Sequence, residues 1–388
     1  MNLPLFKPHD SDQSFDSSPD KSFTMPARYY HDGEIYEREK EAIFYQNWWF
    51  AGHVSQVRNP GDYLTARIHD QEIFVIRDRD GALNGFYNVC QHRGHGLLKG
   101  SGRTKVIVCP YHAWTYGTDG QLVKARNTGE MACFNQGDFA LKPVRVEVFC
   151  SLVFVNLDPD AAPLEEQAGD LESEIRHYCP RIDELVFARR DTYQVRANWK
   201  VLVDNFLECY HCHPAHKDFV DLVDMESYRS RTHGLYSSHC SDRVRSNDNS
   251  AFRFETGEVD FGYAAWFLWP NLTLWVYPGE ANISTLQMIP DGAGHTLEYQ
   301  DWFIASPEPS AQMAEAMQYQ KEVLQPEDVA LCESVQTGMQ SKGYNQGRFV
   351  VDPGFSELSE HCVHHFQKMV VEALGESGSV SLAGKSAR

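Results

Sequence analysis

The sequence predicts an α+β protein in which a small all-β unit precedes a larger domain of helices packed on an antiparallel sheet. Three observations carry that expectation. The chain has 388 residues, enough for two domains of ordinary size. From about 51 to 157 the text consists of short β-rich runs broken by turn residues, and beyond 158 long helical patterns alternate with strands.

Taken in order, residues 1–24 read as a flexible leader rich in Asp, Ser and Pro, and 375–388 as a frayed tail. Residues 25–50 read as a helical part of the larger domain, running through Tyr36 to Tyr45 and ending in Trp48-Trp49-Phe50. Within 51–157, Asp78-Arg79-Asp80-Gly81 between two β-rich runs is a hairpin signature, and Asp119-Gly120 marks another. Ser151 to Asn156 closes this unit, and Asp158-Pro159 with Ala161-Ala162-Pro163 marks a boundary. The domain over 158–374 then reads as a helix at 164–178, a strand at 191–195 and a helix at 201–211. Strands follow around 266–277, 283–289 and 296–305, and a helical region spans 311–341.

Composition narrows the function classes. With 54 acidic against 35 basic residues the net charge is -19, which speaks against nucleic acid as a partner. Met1 to Pro8 holds no apolar core of a secretory leader, and ten cysteines are spread irregularly. That pattern fits a reducing, cytoplasmic setting rather than a disulfide framework. No run of about eighteen apolar residues predicts a membrane span.

Two clusters of metal-ligand residues stand out. Cys90-Gln91-His92 and Cys109-Pro110-Tyr111-His112 each present one Cys and one His from a glycine- or proline-marked loop inside the β-rich unit. A [2Fe-2S] cluster with thiolates on one iron and imidazoles on the other needs two such loops, whereas zinc sites usually group Cys with Cys and His with His. Replacing two thiolates by neutral imidazoles raises the reduction potential, so the cluster can accept electrons from a flavin or ferredoxin partner.

The second concentration is Asn205-Phe-Leu-Glu208-Cys-Tyr-His211-Cys-His213-Pro214-Ala-His216. On one continuous helix, five residues turn through roughly 500°, which would point His211 and His216 apart. Pro214 is expected to break the helix and bring His216 back. His213 competes as a ligand, with His211 preferred because Glu208 lies one turn before it. Open-site iron takes two imidazoles and a carboxylate, leaving positions for dioxygen and substrate. Pro326 reads as the first residue of a helix, and Asp328 heads a face continued by Leu331, Cys332, Val335 and Met339. A carboxylate on such a buried face must be paired or metal-bound. Cys209, Cys212 and Cys332 read as small apolar packing.

At these residues the sequence resembles the oxygenase α subunits of Rieske non-haem iron oxygenases, from about Met25 to Phe366. The resemblance implies an all-β Rieske [2Fe-2S] domain inserted before a helix-grip-like catalytic domain. It places the cluster on Cys90, His92, Cys109 and His112, and mononuclear Fe(II) on His211, His216 and Asp328. It implies a homotrimer in which electrons pass between subunits through Glu208, with Asn205 as a further catalytic residue. NAD(P)H acts indirectly, through a flavin/[2Fe-2S] reductase.

Glu208 within Glu-Cys-Tyr-His, Asn198-Trp199-Lys200, Val203-Asp204-Asn205 and Glu333-Ser-Val-Gln-Thr-Gly resemble the branch acting on quaternary ammonium compounds, such as carnitine, glycine betaine and choline. The implied activity is hydroxylation by O2 of a C-H next to the quaternary nitrogen, followed by C-N cleavage. An aromatic-ring dioxygenase or O-demethylase is the alternative enzyme, and a Rieske electron carrier the alternative without oxygenase activity. A quaternary ammonium cannot donate hydrogen bonds, so aromatic faces must recognise it. The candidates are Tyr193, Trp199, Phe206, Tyr210, Trp266, Trp275 and Tyr277, with Tyr263, Phe267 and Trp269 in the same stretches.

Overall fold

Strand Gln71–Arg77 carries Ile73, Phe74, Val75 and Ile76, all fully buried, and so sits in the middle of its sheet. In the computed structural model, which describes residues 12–243, 249–255 and 262–376, that sheet has seven strands. Their order is Trp49–His53, Leu152–Asn156, Pro143–Phe149, Leu83–Tyr87, Gln71–Arg77, Asp62–Ile68 and Ser101–Arg103. All the pairings are antiparallel. The expected hairpin forms at Asp78, whose Oδ1 accepts from the amides of Asp80 and Ala82. At the second turn, Gly120 has φ +79° and a Cβ there would lie 2.4 Å from the Phe86 ring, so no side chain fits.

This sheet belongs to a unit spanning Phe44–Arg189 with Phe303–Pro307. It is wider than the β-rich text at 51–157, because Trp49 and Phe50 enter a strand rather than ending a helix. Residues 158–189 also join it. The helix expected at 164–178 is two, Leu164–Ala168 and Leu171–Tyr178, parted at Gly169 with φ +56°.

The other unit comprises the residues up to Ile43, Arg190–Trp302 and those from Glu308 onward. Its sheet order is Val186–Val195, Thr296–Ile304, Asn282–Pro290, Leu272–Val276, Tyr263–Leu268, Tyr236–Ser241 and Tyr228–Thr232. From Tyr228 to Gln287 the paired strands run antiparallel. Helix Trp199–Phe206 packs on Asn282–Pro290 and on helix Gln325–Met339. Asn198 caps it by accepting from the Lys200 amide. Behind it, Glu39 accepts from Trp199 Nε1 at 2.9 Å and from Lys200 Nζ at 2.5 Å, with both charges fully buried.

Residues 12–24 of the expected leader are packed, with Phe15 stacked 4.9 Å from His364 and Ser22 fully buried; residues 1–11 and 377–388 of the leader and tail lie outside the described residues. The helix expected at 201–211 stops at Phe206. Pro326 stands at the second position of helix Gln325–Met339, one residue in from the start expected of it, and Ala311–Tyr319 with a wide π turn at Gln320–Leu324 leads directly into that helix. Proline cannot supply the amide an ordinary helical turn needs, and the wide turn just before it accommodates that loss. Finally, the structure adds helix His361–Ala373 and strands Tyr228–Thr232 and Tyr236–Ser241.

Candidate metal centres

The two ligand loops, Cys90-x-His92 and Cys109-x-x-His112, share one backbone hydrogen-bond pattern. The Cys90 amide donates to the His95 carbonyl and its carbonyl accepts from Gly94; the Cys109 amide donates to Trp114 and its carbonyl accepts from Ala113. The matching fifth positions, Gly94 and Ala113, both sit in the left-handed region, at φ +70° and +57°. Both thiols are 2% exposed and lie in an apolar cluster with Ile107, Trp114 and Tyr116. Tyr116 Oη lies 3.2 Å from Cys90 Sγ and accepts from the Gln91 amide. Burial, followed by the neighbouring Cys109, raises the Cys90 pKa, while the Tyr116 hydroxyl opposes that rise.

The imidazoles stand outward. His92 and His112 have ring centroids 4.7 Å apart, and His92 stacks on Trp114 at 9°. His112 Nδ1 is buried without a hydrogen-bond partner among the described residues. Two inward thiols, two outward imidazoles and an orphaned ring nitrogen fit a [2Fe-2S] cluster held Cys-side in and His-side out.

In the larger unit, the turn after Phe206 makes His211 the first and His216 the last flanking residue of a short helix, Cys212–Ala215. Pro214 therefore lies inside that helix, and the chain is turned by the end of Trp199–Phe206 and not by proline. His211 Nε2 lies 3.1 Å from His216 Nε2, and Asp328 Oδ1 lies 2.9 Å from His216 Nε2 and 3.5 Å from His211 Nε2. The three donor atoms lie within 4.8 Å of one another. The opposite ring nitrogens are fixed by carboxylates: His211 Nδ1 by Glu208 at 2.5 Å and His216 Nδ1 by Glu327 at 2.7 Å. With Nδ1 donating, each Nε2 presents a lone pair to the same point as Asp328. Three electron-rich atoms so close repel unless a cation lies between them, and that is the fit to Fe(II) with a two-His, one-carboxylate set.

The electrostatics favour a positive charge at this point, held by protons where no metal is bound. Burial works against charging the His211 ring, yet the Asp328 and Glu208 carboxylates outweigh it and hold its pKa at about 10. Burial likewise opposes the ionised Asp328, but the two imidazoles lower it to about 2. When bound, such an iron supplies dioxygen activation beside a substrate, with electrons drawn from the cluster.

His213 is not part of this group; its side chain is 48% exposed, with Nε2 3.8 Å from Glu357. The apolar face expected around Asp328 is incomplete: Cys332 is buried, but Leu331 and Val335 are exposed. Asn205 Nδ2 lies 3.4 Å from His211 Nε2. Cys209 and Cys212 form a disulfide instead of separate packing groups, since the turn between them brings their Cα atoms to 4.9 Å.

The donors border a cavity. Of the aromatic candidates, Phe206, Trp275, Tyr277 and Tyr263 line it. The others lie elsewhere. Trp266 alternates with the cavity-lining Ala265 on its strand and so faces away. Trp199 is turned to Glu39, Tyr193 bonds Gln300, and Tyr210 is 49% exposed. Phe267 and Trp269 pack on Phe366. Sequence reasoning missed Tyr228, His239 and Glu298, which also line the cavity. Their common signal is polar or amphipathic residues alternating along strands, which ordinarily marks a solvent face.

Comparison with known proteins follows the same division. Residues 47–135 match the family model of the Rieske [2Fe-2S] domain, and residues 182–376 that of the ring hydroxylating alpha subunit, catalytic domain. The chain is 38% identical over 362 residues to the carnitine monooxygenase oxygenase subunit of Escherichia coli (strain K12), covering 93% of this chain and 96% of that one. It is 31% identical to the chloroplastic choline monooxygenase of Amaranthus tricolor, covering 89% of this chain and 76% of the relative. A crystal structure of the quaternary ammonium Rieske monooxygenase CntA with substrate L-carnitine superposes with a TM-score of 0.85 at 35% identity, covering 92% of this chain and 97% of that one.

Proposed function

The chain belongs to the Rieske oxygenase α-subunit family, as a Rieske non-haem iron monooxygenase, and from that premise we propose that it hydroxylates a quaternary ammonium compound next to its nitrogen. The observation that carries the reading is a cavity walled by Phe206, Tyr263, Trp275 and Tyr277, bordered by His211, His216 and Asp328, with no Lys or Arg among its described lining residues. Aromatic faces attract a cation that cannot donate hydrogen bonds, and the absence of a competing positive charge leaves them free to do so.

The balanced reaction consumes one O2, two electrons and two protons. One oxygen atom enters the C-H bond and the other leaves as water. The resulting carbinol-ammonium loses a proton as its C-N bond breaks, giving a tertiary amine and a carbonyl compound. Carnitine would release trimethylamine in this way, and attack on a methyl group of glycine betaine would release formaldehyde. In this scheme Cys90, Cys109, His92 and His112 hold the cluster, and His211, His216 and Asp328 hold the iron. Glu208 and Glu327 orient the two ligand rings from their far nitrogens.

Electrons would come from NAD(P)H through a flavin/[2Fe-2S] reductase in the cytoplasm. A homotrimer is supported by exposed apolar side chains at both ends of the proposed path. Val108 and Tyr111 are exposed on the cluster loops. Leu331, Val335 and Tyr344, also exposed, line a second cavity that touches Glu208 and His211. No described helix is long and apolar enough to cross a membrane.

The test is a panel assay with purified oxygenase, a reductase and NADH. Carnitine, γ-butyrobetaine, glycine betaine, choline and an aromatic acid are each supplied, and trimethylamine and formaldehyde are measured. At least one quaternary ammonium compound should be consumed with stoichiometric amine or aldehyde. Turnover of the aromatic acid alone would overturn the reading.

A further inference from the structure

Four carboxylates among the described residues are more than nine-tenths buried: Glu39, Asp191, Glu298 and Asp301. Three of them have a cation at hand. Lys200 lies 2.5 Å from Glu39, Lys321 3.0 Å from Asp191 and Arg190 2.6 Å from Asp301. Glu298, 2% exposed, has none among the described residues. Its carboxylate receives one hydrogen bond there, from Gln325 Nε2 at 2.8 Å, and it lines the catalytic cavity.

We propose that Glu298 is the counter-ion for the substrate's quaternary nitrogen, so that the ligand supplies the cation this carboxylate lacks. The proposal rests on reading the cavity as a quaternary-ammonium site and names the residue that selects the charge. An ionised carboxylate buried without a partner is costly, and its charge is recovered when a cation arrives beside it. Burial first, and then the Asp328 charge, push Glu298 up to about 8, as expected for an acid whose partner is not part of the chain.

The surroundings suit a cation that donates no hydrogen bond. Tyr277 spends its hydroxyl on Gln320 Oε1 at 2.7 Å, which leaves its ring to meet the cavity. Gln320, which anchors Tyr277, opens the π turn at Gln320–Leu324, and Gln325, which anchors Glu298, follows it directly. Asp328 follows three residues after Gln325 on the same helix. One helical segment thus fixes an aromatic wall, the counter-charge and a proposed iron ligand, which sets a cationic nitrogen and its neighbouring C-H beside the metal.

The experiment compares cations with their uncharged carbon isosteres on the holoenzyme, carrying both metal centres. The pairs are choline with 3,3-dimethylbutan-1-ol and γ-butyrobetaine with 5,5-dimethylhexanoate; in each the quaternary nitrogen is replaced by carbon at nearly constant shape. Wild-type protein should bind at least one cation about 10-fold or more tighter than its isostere, an increment of about 1.4 kcal/mol or more. Glu298→Gln should remove that preference by weakening the cation and leaving the isostere unchanged, with iron content unaltered. Glu298→Asp, which keeps the charge, should retain the preference, so the proposal stays testable if the glutamine variant fails to fold. Glu298→Gln with an undiminished preference, or with cation and isostere weakened equally, would overturn the role of Glu298 while leaving a quaternary-ammonium enzyme standing. A wild-type protein that binds both isosteres as tightly as their cations would overturn that enzyme reading as well.

Discussion

Three histidines lie within six residues at His211, His213 and His216, and only their surroundings distinguish them. His211 and His216 each have one ring nitrogen tied to a carboxylate and the other aimed at Asp328, whereas His213 is half exposed beside Glu357. Asp328→Ala should therefore lower the iron content from about three to about two atoms per chain, the cluster remaining. His213→Ala should leave it at about three. Metal analysis of anaerobically purified protein checks both, and loss of iron in the His213 variant would show that the wrong imidazole had been assigned. The Glu208-x-x-His211 spacing and the donor types were legible in the sequence. The part played by Glu327 was not, because only the structure shows that it meets His216 at Nδ1 while Asp328 meets the same ring at Nε2.

At the scale of elements, helix Trp199–Phe206 brings Asn205 to the proposed iron-ligand group and is held from behind by the Lys200–Glu39 pair. Burial pushes the Lys200 pKa down against the pull of Glu39. Removing one partner of such a pair strands a buried charge, so Lys200→Met should cost about 3–5 kcal/mol of stability. The double change with Glu39→Gln should recover much of it. Denaturant midpoints of the single and double variants check this, and a cost below about 1 kcal/mol for Lys200→Met would contradict a buried pair. Helix ends were the least legible feature. Phe206 and Gly169 end helices, and the π turn before Pro326 widens one, at points that hydrophobic periodicity alone runs through.

At the scale of the whole molecule, the proposed trimer makes Glu208 a link between the cluster of one subunit and the iron of the next. Glu208 Oε1 lies 2.5 Å from His211 Nδ1 and also lines the second cavity, where exposed Leu331, Val335 and Tyr344 gather. Glu208→Gln should leave the visible spectrum of the cluster intact. Oxidation of the reduced cluster by substrate and dioxygen should slow roughly 10- to 100-fold, the usual scale for losing a carboxylate behind a ligand histidine. Unchanged single-turnover rates would take Glu208 out of the electron path.

The sequence by itself determined the chemistry on offer. Cys and His at loop spacing, a Glu one turn before a His, and a carboxylate after a proline are local patterns, and local patterns survive without coordinates. The tertiary structure alone decided which side chains share the cavity. Trp266 and Trp275 are equally aromatic, and strand alternation sends one into the core and the other to the cavity. Glu298 and Gln300 read as an ordinary polar strand edge until the sheet folds that face inward. Burial is a property of the whole fold, so an acid left without its counter-ion becomes visible only after every element has been placed.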